Sequence, residues 1–146
     1  MPRRSLYPHH VLLGILVNAK RIAKEKGIDL KFRAYEIKLS EIFYNLKIDQ
    51  RMLGSKLLEL FVFSNTGPEP VCPLLHEGMK ILHHGGSLAR PDLQDPEVFV
   101  VTESGEDYFD SVIKGQIATA EQIEEMLVIS YTFLDIYTCF TAMTKA

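Results

Sequence analysis

The chain has 146 residues, 47% apolar and 24% charged, which suffices for one continuous core with appendages and leaves little for a second independent one. Its longest apolar runs, 11–17 and 126–129, fall short of the roughly 20 residues of a membrane span. No apolar segment with a small-residue cleavage site follows the basic start at Arg3 and Arg4, so a cytoplasmic, non-membrane protein is expected. The net charge of -3 conceals a segregation. Residues 1–60 hold 12 Lys and Arg against 6 acids, and residues 61–146 hold 4 against 13. A basic half is the electrostatic footprint expected of a nucleic-acid binder, and two solvated faces of opposite sign are the plainer alternative.

Pro8 can open a first helix, in which Val11, Leu12, Ile15, Leu16, Ala19, Ile22 and Ala23 keep helical spacing until Gly27. Lys20, Arg21, Lys24 and Lys26 suit the negative end of its dipole. Residues 28–38 are ambiguous: Leu30, Phe32 and Ala34 alternate as in a short strand, and Tyr35 to Lys38 could already be helical. From Leu39, the stripe Leu39, Ile42, Phe43 and Leu46 predicts a second helix. Asp49 can cap a third, with Leu53, Leu57 and Leu60 as its buried face.

Residues 64–73 are dense in turn formers and predict a loop. One helical turn can follow from Leu74 to Met79, with 79–82 reading as a short strand. A polar tip with glycines and prolines then precedes a valine-rich strand at 97–101. Thr102 is placed to cap the next helix, which Gly115 ends. The last helix spans 118–144, with Ile123, Leu127, Ser130, Leu134 and Tyr137 repeating at helical steps and Phe133, Ile136 and Phe140 beside them.

The segment Leu39 to Leu60, LSEIFYNLKIDQRMLGSKLLEL, resembles the helix-turn-helix of winged-helix transcription regulators. Residues 98–109, VFVVTESGEDYF, look like the last wing strand running into that superfamily's Thr-Glu-x-Gly helix start. The resemblance implies an α+β, mainly α fold: a winged helix-turn-helix domain (1–115) with an insertion before the wing, and a long C-terminal helix (116–146) as dimerisation element. It also implies sequence-specific binding of double-stranded DNA by a homodimer, with a recognition helix at about 49–61 in the major groove. The outward positions of that helix, Gln50, Arg51, Met52, Ser55 and Lys56, together with Arg90 in the wing, are the expected DNA contacts. Leu58 and Val62, expected on the same outward side, support the alternative of a protein–protein interaction module.

Other chemistries are weaker. Cys72, His76, His83 and His84 can each ligate metal, but their spacing lacks the paired pattern of structural zinc sites, and no metal or cofactor is expected. No phosphate loop, nucleophile elbow or paired-carboxylate motif stands out, so an enzyme is not expected. Cys72 and Cys139 read as free thiols.

Overall fold

A computed structural model describes residues 6–28, 30–33, 37–64, 71–95 and 98–144 of the chain, the side chains of 37 and 140–144 excepted. The fold is mainly helical with a small antiparallel sheet, as expected at the level of class. Helix α1 (Pro8–Glu25) has Pro8 in its first turn, where the missing amide hydrogen is no loss. Its residues from Val11 to Ala19 are buried on every side, because this stretch lies between the later helices, whereas Lys24 and Glu25 at the end of α1 are exposed. The short strand β1 (Phe32–Arg33) resolves the ambiguity around residue 30 in favour of a strand, and α2 (Ile37–Ile48) follows; Ala34, Tyr35 and Glu36 lie outside the described residues.

The next segment departs from expectation. Residues 49–61 form no continuous helix but two single 3-10 turns, Gln50–Met52 and Leu58–Leu60. Gly54 between them has φ +84°, the left-handed region that an α-helix cannot contain. The expected leucine seam is broken accordingly: Leu57 is buried, but Leu53 is 71% exposed, and Leu58, expected outside, is buried.

A full helix instead appears where one turn and a strand were expected. Helix α3 (Pro73–His84) carries Pro73 in its first turn and buries Leu75, Gly78, Met79 and Leu82, so residues 79–82 are helical and not extended. It leads through a turn at Gly85 and Gly86, the latter at φ +83°, into β2 (Leu88–Ala89). The return strand is β3 (Val98–Val101). Strand β3 lies between the other two, pairing Phe32 with Phe99 and Leu88 with Val101, antiparallel in both cases.

Thr102 then caps α4 (Glu103–Tyr108) as expected, its hydroxyl accepting from the Gly105 amide at 3.0 Å. The helix does not stop at Gly115: it continues as a π-helical stretch, Phe109–Ile117, that buries Phe109, Ile113 and Ile117, and it ends at Ala118. The final helix, α5 (Ala120–Thr144), packs along α1 and α2. It gives Met126, Ile129, Phe133 and Tyr137 to the core, so these two aromatics turn back onto their own chain. Phe32 sits against Phe99, Phe133 and Tyr137 at 5.1 to 6.1 Å between ring centroids. The Tyr137 hydroxyl accepts from the Arg33 amide at 2.9 Å and donates to the Lys31 carbonyl at 3.3 Å, which fastens β1 to α5. No helix among the described residues is long and apolar enough to cross a membrane.

Candidate functional site

Gln50 to Lys56 come together on the loop after α2, but that loop lies against α5 and not on a free helix face. Asp49 caps the first turn as expected, accepting from the Arg51 amide at 2.9 Å. Its carboxylate also holds the Arg51 guanidinium through Nε and Nη2, each at 2.9 Å, while Nη1 reaches Asp135 on α5 at 2.8 Å. The hydrogen bonds and charge of Arg51 draw the Asp49 carboxyl down to about 2. Ser55 donates to Glu125 on α5 at 2.9 Å, and the Lys56 amide donates to the same oxygen at 3.1 Å. Met52, expected to point outward, is 6% exposed and belongs to the core, which excludes it as a base contact in this conformation. Gln50 and the Lys56 side chain are exposed. Arg90 stands elsewhere in the chain, directly after β2, and is half-buried. Two carboxylates of α5 therefore border the loop that was expected to approach phosphates.

The same pattern recurs across the molecule. Lys20 pairs with Glu106 at 3.0 Å, Arg21 with Glu106 at 3.2 Å and Asp110 at 2.8 Å, and Arg33 with Asp95. With Arg51 and Asp135, each of these pairs joins a base of the first 60 residues to an acid of the remainder. Part of the charge segregation in the sequence is thus neutralised inside the fold, and less of it faces a partner than the bare count suggests.

Helix α3 offers a different surface. Its buried residues face α1, and a Cβ at Gly78 would sit 3.5 Å from the His9 backbone, so the two helices approach closely there. At 100° per residue, Glu77, Lys80 and His84 fall opposite the buried stripe, and all three are exposed. Leu74 and Ile81 lie on the flank toward the start of α1. With Tyr7, Pro8, His9, Glu77 and Gly78 they line an open groove of about 280 Å³. On the opposite flank, His76 lies 3.4 Å from the Ser40 hydroxyl on α2.

No family model, curated protein or solved structure matches this chain.

In the first turn of α1, His10 is buried and its Nδ1 accepts from the Tyr7 amide at 3.0 Å. Burial, and then the neighbouring His9, push its pKa down to about 4. A neutral imidazole is thereby built into the start of α1. Among the described residues, no three His, Cys, Asp or Glu side chains are grouped to hold a metal ion. Cys72 is buried, Cys139 exposed, and both are free thiols. Sequence reasoning missed α3 because the dense turn formers at 64–73 mask its start. The signal was Pro73 with Leu75, Met79 and Leu82 behind it at steps of four and three.

Proposed function

We propose that the chain is a double-stranded-DNA-binding regulator of winged-helix build in which α3, and not the segment 49–61, is presented to the major groove. Two features support the build. The helices and strands follow the order α1, β1, α2, α3, β2, β3, and β3 lies between β1 and β2, so that a helix directly precedes a two-stranded hairpin, although that helix is α3 and not the segment 49–61 on which the sequence resemblance was read. The observation that carries the site is α3 itself, the helix directly ahead of the β2–β3 hairpin. It fixes one face through Leu75, Gly78, Met79 and Leu82 and turns Glu77, Lys80 and His84 to solvent. In this reading Lys80 holds a phosphate or a guanine edge, and Glu77 accepts from a cytosine amino group. The hairpin carrying Arg90 acts as the wing.

Few cations line this face, so the electrostatic component is small. Fluorescence anisotropy with a duplex pool across salt concentrations should give a log–log slope of about -2 to -3, the value for two or three phosphate contacts. Lys80→Glu should weaken binding at every sequence, whereas Arg51→Ala, on the α5 side, should leave it unchanged. Duplex binding that is absent at low salt, or that is lost with Arg51→Ala and kept with Lys80→Glu, overturns the proposal.

One observation favours the second reading, a protein-binding module. The apolar groove formed by Tyr7, Pro8, Leu74 and Ile81 beside Glu77 suits an apolar peptide segment carrying one basic residue. Under that reading Ile81→Asp abolishes capture of such a peptide, and salt has little effect on it.

A further inference from the structure

The loop after α2 and the adjoining face of α5 form a second hollow, a cleft of about 250 Å³. Drug-sized ligands fill roughly 300–1,000 Å³, so this volume suits a smaller molecule. Glu125 lines it from α5 together with Val128 and Ile129, which follow at steps of three and four and so share its helix face. Met52 and Leu53 line it from the loop, where Gly54, at φ +84°, turns the chain and adds no side chain. Met52 and Ile129 are buried, whereas Leu53 and Val128 are 71% and 52% exposed, so apolar surface remains open to an occupant. The charges in the cleft are not equivalent. Arg51 is already held by Asp49 and Asp135 and offers no uncompensated positive charge to an anion. Glu125 accepts at one oxygen from the Ser55 hydroxyl at 2.9 Å and the Lys56 amide at 3.1 Å, and no cationic side chain pairs with it among the described residues. Its other oxygen, Oε2, is a free acceptor beside apolar walls, and an ionised acceptor makes its strongest hydrogen bond with a charged donor.

We propose that this cleft binds a small primary amine with an apolar body, the ammonium donating to Oε2 of Glu125 and the alkyl or aryl group lying on Leu53, Val128 and Ile129. The lining selects this class against the other cations. A metal ion needs several ligating atoms, and among the described residues no three His, Cys, Asp or Glu side chains are grouped to supply them. A quaternary ammonium has no N–H to give to Oε2. A primary ammonium is a compact charge with three donors, and its carbon body replaces water on the exposed faces of Leu53 and Val128. The cleft adjoins neither α3 nor the β2–β3 hairpin, so amine binding is independent of whether α3 contacts DNA.

The test uses the full chain. Calorimetric titration with 3-methylbutylamine at neutral pH should saturate in the millimolar range. The uncharged 3-methylbutanol, the anion 3-methylbutanoate and methylammonium each lack one half of the match, and each should bind at least about tenfold more weakly. In NMR spectra of the same titration the Gly54 and Ser55 amides and the Val128 and Ile129 methyls should shift, while the Ile81 methyl on α3 stays in place. Glu125→Gln keeps an acceptor for Ser55 and the Lys56 amide, and should weaken amine binding about tenfold through loss of the charge. Glu124→Gln makes the same charge change at the exposed neighbouring position and should leave binding unchanged. Val128→Ser, which removes part of the apolar wall, should weaken it about threefold. Should Glu125→Gln fail to fold, the spectra of the parent chain still decide. Absence of saturation, equal binding of methylammonium or 3-methylbutanoate, shifts centred on Ile81, or equal losses with Glu124→Gln and Glu125→Gln would each overturn the proposal.

Discussion

Two side chains carry the clearest consequences at the scale of the residue. His10 is buried neutral, with its acceptor nitrogen used and its pKa drawn down to about 4 from 6.5. The folded state therefore binds fewer protons than the unfolded chain between those values, so stability should fall as pH drops from about 6.5 to 4. The loss is about 3 kcal/mol at the bottom of that window, and His10→Asn should flatten it in urea titrations at pH 7 and pH 4.5. Asp49 works in the other direction along the scale. Its carboxyl lies at about 2, below the ordinary 3.8, through Arg51. Its contribution is complete above about pH 4 and disappears as pH falls toward 2, so Arg51→Ala should move the acid-unfolding midpoint upward. The role of Asp49 as a cap was legible in the sequence because capping is local. The fate of Arg51 was not, because its partner Asp135 lies 84 positions away.

At the scale of the element, what could be read depended on whether the stripe and the stops agreed. Helices α1, α2 and α5 were legible because apolar spacing and punctuation point the same way. Between residues 49 and 84 they conflict. Leucines at helical spacing suggested a helix across Gly54, but the glycine's backbone prevailed, and the true helix lay behind a run of prolines. The Thr-Glu-x-Gly start of α4, in contrast, has a plain physical basis. Thr102 supplies the cap, and Gly105 lets the helix rest on the hairpin, where a Cβ would stand 2.5 Å from the Ser87 carbonyl oxygen. Backbone cannot yield there as a side-chain tip can. Gly105→Ala should therefore destabilise by about 1 to 3 kcal/mol despite alanine's better helix propensity, measured as a lowered urea midpoint with an unchanged slope.

At the scale of the whole molecule, the mainly helical class with a small sheet was legible, and the use made of the charge was not. Counting residues revealed two halves of opposite sign but could not tell which cations face inward, because pairs such as Lys20 with Glu106 close only when α4 folds against α1. Burial alone would raise the Glu106 pKa, and Lys20 and Arg21 outweigh it to leave the group lowered. Glu106→Gln should accordingly cost about 1 kcal/mol at neutral pH. That difference from the parent should vanish in acid, once the parent carboxyl takes its proton. The position of α1 also bears on how the chain is made. A helix whose residues 11–19 are buried all round is the first to be synthesised among the described elements, and one of the surfaces that shield it, α5, is the last. A nascent chain therefore carries part of that helix uncovered until α5 has left the ribosome, and apolar surface left open in this way favours aggregation during synthesis.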